Sequence, residues 1–206
     1  MKIINVGRNY AAHAKELGND VPSEPLIFVK PQTSFAKADT PITIPSWTTD
    51  LHHEVELVVQ ISDTLTCAHP EKVRNAIECV TLGLDLTARD LQRTLKSAGH
   101  PWERAKAFDG AARVGPMRPI DPSFWDEDHV IELLLNGSSK QHGHLSGMMW
   151  QPAELISAVS QWMTLEPGDL VFTGTPPGVG RLEAGDELVA RLDEQVVFAT
   201  SVVSPN

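Results

Sequence analysis

Three acidic residues are the first candidates for chemistry in this sequence. Glu54 and Glu56 alternate with apolar residues in L-H-H-E-V-E-L-V-V (51–59). In a β-strand, both carboxylates would therefore point to one face, about 7 Å apart. Asp85 follows in G-L-D-L-T-A-R-D, between two leucines at the end of an apolar segment. An aspartate there is costly unless it is paired or liganded, so we expect a positive group among the three carboxylates.

Two kinds of positive group suit this set. A lysine or arginine could pair with the carboxylates, and a solvated strand face would also explain two neighbouring glutamates. A hard divalent cation is the alternative, because Mg²⁺ and Mn²⁺ prefer carboxylate oxygens and can keep positions open for substrate. Histidine ligands would favour zinc or iron instead. We expect His52 and His53 to support the site or pack beside it, and the H-x-H of residues 142–144 to lie at the surface.

A second candidate lies in G-R-N-Y-A-A-H-A-K-E, residues 7–16. His13 and Glu16 are three residues apart and would share one face of a helix. A carboxylate that holds the tautomer of a histidine and stabilises its cation prepares that histidine to act as a general base. The alternative is an ordinary surface helix with an incidental histidine–glutamate pair.

Two further motifs could contribute to the same site. Lys106 stands between two alanines in A-K-A-F-D. In an apolar pocket near a metal it could stabilise an oxyanion, whereas a surface lysine would not. T-G-T-P-P-G-V-G (173–180) follows a strand pattern but lacks the G-K-[ST] of a nucleotide-binding loop. We predict a tight turn that presents backbone N–H groups and the Thr175 hydroxyl to a carboxylate.

Strand patterns outnumber the helix patterns that must position these residues. Alternating or compact apolar segments predict strands over 2–6, 26–30, part of 41–47, 51–61, 79–86, 130–135, 140–142, 169–173, 187–192 and 196–203. Asn136 and Gly137 predict a tight hairpin turn. Helical patterns cover 9–17, 70–76, 87–98 and 152–163, the last with an apolar stripe formed by Leu155, Ile156, Val159, Trp162 and Met163. The pattern favours a strand-rich α+β fold over a doubly wound sheet.

Composition limits the classes of partner. The chain has 206 residues, which suits one domain, and a formal net charge of −10, which disfavours nucleic acid and anionic membranes. Cys67 and Cys79 form no C-x-x-C motif and are expected to be reduced thiols. No signal peptide and no apolar run long enough to span a membrane is evident, so we expect a cytoplasmic protein.

The motifs also occur together in a recognisable order. They are G-R-N-Y-x-x-H-x-x-E, F-V-K-P, H-H-E-V-E-L, L-D-L-T-A-R-D-L-Q, P-W-E-R-A-K-A-F-D and T-G-T-P-x-G-V-G. Over about Val6 to Asp193 the chain thereby resembles the fumarylacetoacetate hydrolase family, in particular its small acylpyruvate hydrolase-like members. The resemblance implies a mixed β-sandwich or β-roll, a single catalytic domain over residues 1–206, a homodimer, and an active-site lid over about residues 7–20.

The resemblance also implies roles for individual residues. Glu54, Glu56 and Asp85 would hold one Mg²⁺ or Mn²⁺ per chain, and His13 with Glu16 would be the catalytic dyad. Lys106 would be the active-site lysine. Gln92 and Thr175 would contact the carboxylate and oxo groups of a substrate, together with Arg8 from the first motif. One departure is Leu145, which stands in G-H-L-S-G-M where the family usually has threonine.

Several reactions are compatible with such a site. The resemblance implies hydrolysis of a carbon–carbon bond in short 2,4-dioxo acids (acylpyruvates), giving pyruvate and a carboxylic acid. Decarboxylation of oxaloacetate, keto–enol tautomerisation, and isomerisation or decarboxylation of a dienoate are the alternatives. A protein that only binds a divalent metal is a different class of function. Metal binding alone would not require His13, Glu16 and Lys106 in the same site.

Overall fold

A computed structural model of the protein describes residues 1–16, 18 and 20–204. The strands are β1 (Ile3–Gly7), β2 (Leu26–Lys30), β3 (Phe35–Lys37), β4 (Ile42–Thr43), β5 (Leu51–His53), β6 (Val55–Ile61), β7 (Ile77–Asp85), β8 (Thr87–Ala88), β9 (Ala112–Val114), β10 (Arg118–Pro119), β11 (Val130–Leu135), β12 (Ser138–His144), β13 (Leu170–Phe172), β14 (Gly180–Arg181), β15 (Glu187–Leu192) and β16 (Gln195–Val203). The α-helices are α1 (Ala11–Glu16), α2 (Pro70–Asn75), α3 (Arg89–Ser97), α4 (Glu103–Lys106) and α5 (Pro152–Ser160).

The strands form three sheets in the described chain. The largest has the order β2–β1–β13–β6–β7–β9–β3, with β10 also paired to β7. A second sheet has the order β12–β11–β15–β16–β4, and a small third sheet joins β14, β5 and β8. Parallel and antiparallel pairs both occur, because β1 runs parallel to β13 and β6 runs antiparallel to β7. The predicted strand-rich α+β fold is confirmed.

The predicted strand over 51–61 is divided at Glu54. β5 pairs with β8 and β14, whereas β6 pairs with β7 and β13 of the large sheet. Glu54 therefore lies at the junction of two sheets. The strand β6 is also buried on both faces, since Leu57 and Val59 join the main core while Val58 packs in a second apolar cluster. The large sheet is therefore covered on both sides at β6.

The turn chemistry of the hairpin follows the prediction. Asn136 and Gly137 connect β11 to β12, and both have positive φ, 51° and 75°. Two consecutive residues in this region are typical of the type I′ turn that Asn-Gly favours.

Helix ends differ more from the prediction. The helix α5 stops at Ser160, and Trp162 is 61% exposed, so Trp162 does not extend the buried stripe of Leu155, Ile156 and Val159. The helix predicted over 9–17 is shorter, and its last predicted residue lies outside the described residues. No helix among the described residues has the length and apolar character needed to cross a membrane.

Candidate active site

The three predicted carboxylates converge at the junction between the sheets. Glu54 lies between β5 and β6, Glu56 is the second residue of β6, and Asp85 ends β7. Antiparallel pairing of β6 with β7 brings the start of one strand to the end of the other. One carboxylate oxygen from each residue lies within 4.8 Å of the others, and all three residues are buried.

Positive side chains surround these carboxylates. The Lys106 Nζ atom donates hydrogen bonds to Glu54 Oε2 at 2.7 Å and to Asp85 Oδ2 at 2.8 Å. The Lys30 Nζ atom donates to Asp85 Oδ1 at 2.6 Å, and Arg89 pairs with Glu54 through Nη2 and Oε1. These three cations thus contact two of the three carboxylates, Glu54 and Asp85. The ion pairs considered as an alternative to a metal are present alongside a possible metal site.

Lys30 and Arg89 were not singled out from the sequence. Lys30 ends the apolar strand L-I-F-V-K and is fully buried, with Ala111 O as its second acceptor at 2.9 Å. Its carboxylate partner is 55 residues away in sequence. A charged residue that ends an apolar strand usually reaches solvent, so its burial could be seen only in the folded chain. The same holds for Arg89, which begins α3 and reaches back to Glu54.

The two glutamates experience opposite electrostatic effects. Burial acts to raise the pKa of Glu54, but the charges of Lys106 and Arg89 outweigh it and lower that pKa strongly. The pKa of Glu56 is raised well above its ordinary value, because burial and the neighbouring charges of Asp85 and Glu54 all disfavour its ionised form. Glu56 is therefore the carboxylate that most needs a further positive charge.

The two lysines also differ. Burial lowers the pKa of Lys30, an effect that Asp85 offsets only in part. Burial acts in the same direction on Lys106, but Asp85 and Glu54 outweigh it and raise the pKa of this lysine. Since an ammonium has three donors and Lys106 uses two of them on the carboxylates, one N–H remains for a substrate oxygen.

His13 and Glu16 are in hydrogen-bonding contact, and their catalytic role stays a prediction. The Nδ1 atom of His13 lies 3.1 Å from Glu16 Oε2 in α1, and His13 is only 4% exposed. A carboxylate can only accept hydrogen bonds, so we assign the proton of His13 to Nδ1. This tautomer leaves a lone pair on Nε2. Glu16 also accepts from the backbone N–H of Gly178, with 3.0 and 3.2 Å to its two oxygens.

The glycine-rich loop (residues 173–180) presents backbone N–H groups to carboxylates of the protein. The Gly174 N–H donates to Glu56 Oε2 at 2.7 Å, and the Gly178 N–H donates to Glu16. The Thr175 hydroxyl donates to Val55 O at 2.8 Å, so its single proton is already used. A contact between Thr175 and a substrate stays a prediction, although Thr175 lines the cavity.

A single cavity is lined by the candidate residues other than Glu16, which reaches it through its contact with His13. Its lining includes Arg8, His13, Gln92, Lys106 and Thr175, together with the three carboxylates. Phe28 and Trp102 supply apolar wall, with ring centroids 6.4 Å apart in an edge-to-face arrangement.

Helix α3 lines one side of this cavity with residues at positions i, i+3 and i+7, which share a helix face. These residues are Arg89, Gln92 and Lys96. Arg89 Nη1 donates to Gln92 Oε1 at 2.7 Å and thereby orients the amide of Gln92.

The histidines near the strand are engaged elsewhere. His52 Nε2 lies 2.9 Å from Asp50 Oδ1, and His53 Nδ1 lies 2.9 Å from Gln141 Oε1. His144 is exposed and contacts Asp128, which agrees with the expected surface position of the H-x-H motif. Leu145 is buried in the main core and is not among the residues that line the cavity.

The donor set fits a hard divalent cation. Three buried carboxylates supply oxygen ligands, and the nearby histidines have other partners, so Mg²⁺ or Mn²⁺ suits the site better than zinc. The fold and the site together define a class: a strand-rich α+β protein with a buried acidic cluster that could hold a metal, beside a hydrogen-bonded histidine–glutamate pair. The chain matches the family described as fumarylacetoacetate (FAA) hydrolase C-terminal over residues 2–203. It belongs to this family.

Relatives in the family carry out different reactions. An oxaloacetate tautomerase of Escherichia coli (strain K12) is 44% identical over 193 residues, which cover 93% of this chain and 88% of the relative. A fumarylpyruvate hydrolase from Pseudomonas aeruginosa, solved in complex with Mn²⁺ and pyruvate, is 35% identical with a TM-score of 0.92, covering 99% of this chain and 90% of that one. A 5-carboxymethyl-2-hydroxymuconate delta-isomerase from Mycobacterium smegmatis is 35% identical with a TM-score of 0.86, covering 100% and 79%.

Proposed function

We propose that this protein is a Mg²⁺- or Mn²⁺-dependent enzyme that interconverts the keto and enol forms of oxaloacetate. The observation that carries the proposal is the buried His13, oriented by Glu16, in the same cavity as three carboxylates and Lys106. Identity of 44% to an oxaloacetate tautomerase supports this substrate.

The cavity also suits a substrate with two carboxylates. Its lining includes the positive side chains of Arg8, Arg89, Lys96 and Lys106. Oxaloacetate carries a second carboxylate, whereas the simplest acylpyruvates end in a methyl group. Positive side chains on the wall therefore favour the dicarboxylate over its neutral-ended analogue.

The reaction needs one proton transfer at carbon and one at oxygen. A divalent metal, when bound by Glu54, Glu56 and Asp85, would act as a Lewis acid toward the 2-oxo acid. His13 Nε2 would take the proton from C3, and the electron pair of that C–H bond would move onto the C2 oxygen. The remaining N–H of Lys106 would stabilise this oxygen. The His13 imidazolium would then return the proton, to oxygen for the enol or to carbon for the ketone.

The proposal is tested by following the ultraviolet absorbance of enol-oxaloacetate with Mn²⁺, Mg²⁺ or a chelator. We expect metal-dependent conversion, and we expect His13→Ala to lower kcat by about 100-fold or more, the usual contribution of a general base. His142→Ala, which removes an exposed histidine of β12, is the matched control and should retain the wild-type rate. Wild-type activity in His13→Ala would contradict the assigned base.

Hydrolysis of acylpyruvates is the second candidate. It is supported by the 35% identity to a fumarylpyruvate hydrolase, and by the ability of the same imidazole to deprotonate a water instead of a carbon. Release of pyruvate from acetylpyruvate and fumarylpyruvate, measured at matched Mg²⁺ and Mn²⁺, distinguishes this activity from tautomerisation. Absence of metal-dependent turnover of oxaloacetate and of both acylpyruvates would leave only metal binding.

We further propose that the chain works as a homodimer, as the family resemblance implies. Sedimentation equilibrium should then give a mass twice that of the 22.5 kDa chain. A mass of one chain at micromolar concentration would contradict the dimer.

A further inference from the structure

We propose that the backbone N–H of Gly178 is the group that positions the catalytic dyad. It holds the Glu16 carboxylate and, through Glu16, the orientation and tautomer of His13. The contact joins residues 162 positions apart, so it ties the glycine-rich loop directly to α1. The inference rests on the proposed function only in that His13 is taken as the base.

The packing of the glycine-rich loop against β12 holds the Gly178 N–H in a fixed place. Gln141 of β12 donates from Nε2 to the Thr175 hydroxyl at 2.7 Å and to Pro176 O at 2.9 Å. Gly178 has a φ of +99°, and a Cβ there would lie far inside contact distance of the Lys140 carbonyl. The loop is thus pressed against the backbone of β12, and only glycine allows the Gly178 N–H to point at α1.

The Glu16 carboxylate is the shared acceptor for the Gly178 N–H and for His13. Glu16 receives the Gly178 N–H on both oxygens, and Oε2 also faces His13 Nδ1 at 3.1 Å. The Glu16 side chain is about one-third exposed, so without this anchor it could turn into solvent. His13 would then lose the acceptor that keeps its proton on Nδ1 and its lone pair on Nε2.

The same loop also serves the metal site. The Gly174 N–H donates to Glu56 four residues before Gly178 donates to Glu16. One rigid loop therefore sets the relative position of a metal carboxylate and of the dyad. Gly178 acts through Glu16, so it is a positioning residue and does not contact the substrate.

The first test measures the contact without measuring activity. Pro176 and Pro177 have no amide hydrogens, so a peptide over 176–180 reports few amides besides that of Gly178. Hydrogen–deuterium exchange of this peptide should be slow in the wild type with Mg²⁺ and clearly faster in Glu16→Ala. Equal exchange in the two proteins would overturn the inference, whether or not the protein turns over any 2-oxo acid.

The second test is a double-mutant cycle. At saturating Mn²⁺, Gly178→Ala should lower kcat by about 10-fold or more with little change in KM, because the added Cβ displaces the Gly178 N–H from Glu16 and misplaces the base. In the Glu16→Ala background, the same substitution should have almost no further effect on kcat. Effects that multiply in the double variant would show that Gly178 acts only through general stability, and would refute its positioning role.

Gly185→Ala is the matched control. Gly185 also has positive φ, +96°, and a hydrogen-bonded amide, but a Cβ there meets nothing within 4 Å. It therefore imposes similar backbone strain away from the site and should leave kcat unchanged. If the wild-type protein turned over no 2-oxo acid at all, the proposed function would be rejected. The hydrogen–deuterium exchange result would still decide whether Gly178 holds Glu16.

Discussion

At the scale of single residues, the site depends on how buried charges are divided. Glu54 has both oxygens bound by cations, from Lys106 and Arg89, and Asp85 has both oxygens bound by lysines. Glu56 is different, because it accepts a hydrogen bond from the neutral N–H of Gly174. Its raised pKa follows from burial and from its two acidic neighbours. We therefore expect Glu56 to control how metal binding depends on pH.

The first prediction is that metal binding releases a proton from Glu56. In the metal-free fold the raised pKa favours the protonated acid, so its stabilising effect is present below the ordinary value of 4.5 and is lost as pH rises through the raised pKa. Glu56 must be ionised to bind a metal ion. Mn²⁺ affinity should therefore increase as pH rises from 4.5 to the raised pKa of Glu56. Titration calorimetry in buffers of different ionisation enthalpy measures the proton released.

Glu56→Gln provides the control for this prediction. The amide has nearly the same shape but no proton to release, so its Mn²⁺ affinity should be weak and nearly independent of pH. Proton release that persists unchanged in Glu56→Gln would assign the titration to another group.

At the scale of elements, β12 supports the site from behind. The buried side chain of Gln141 accepts from the Val55 N–H and from His53, and donates to Thr175 and Pro176. One amide thus connects β12, the start of β6 and the glycine-rich loop. All of its hydrogen-bonding capacity is satisfied within the protein.

The second prediction concerns this amide. Gln141→Leu should lower the free energy of unfolding by about 3 kcal/mol, because several buried polar groups lose their partner at once. Urea denaturation measures the loss. His142→Leu changes the next residue, which is exposed on the other face of β12, and should change stability by less than about 0.5 kcal/mol. Equal losses in the two variants would mean that the Gln141 network contributes little.

At the scale of the whole molecule, the site joins parts of the chain that must fold together. The carboxylates lie where the large sheet meets the small sheet of β5, β8 and β14, and the dyad reaches the loop after β13. A ligand that binds only this assembled arrangement stabilises the entire fold.

The third prediction follows from this linkage. Mn²⁺ at 100 times its dissociation constant should raise the free energy of unfolding by about 2.7 kcal/mol, with an unchanged denaturant slope. Urea curves at increasing Mn²⁺ measure the effect, which should grow with the logarithm of concentration. The Glu56→Gln variant should show almost none of it, and full stabilisation in that variant would place the ion elsewhere.

Local patterns were sufficient for much of the fold and for the main candidate residues. Strand patterns at 26–30, 130–135 and 187–192 match β2, β11 and β15 residue for residue, and the Asn-Gly turn has the expected dihedral angles. Hydrophobic periodicity and turn preference depend on only a few neighbouring residues. They therefore predict strands and turns even when the tertiary contacts of those segments are unknown. The pairing of His13 with Glu16 is local in the same sense, since they are three positions apart on a helix.

The tertiary structure alone decided which charges are buried and what each one contacts. Lys30, Arg89 and Gln141 carry no local mark of their roles. Asp85 lies 55 residues from Lys30, Glu54 lies 35 residues from Arg89, and the hydrogen-bond partners of Gln141 lie at least 34 residues away. The break at Glu54 depends on which sheet each flanking segment joins. The sequence by itself thus determined which types of side chain form the candidate site: three acidic residues and a histidine–glutamate pair. Long-range packing decided their charges and geometry, since desolvation and Coulomb interactions depend on distances that only the folded chain defines.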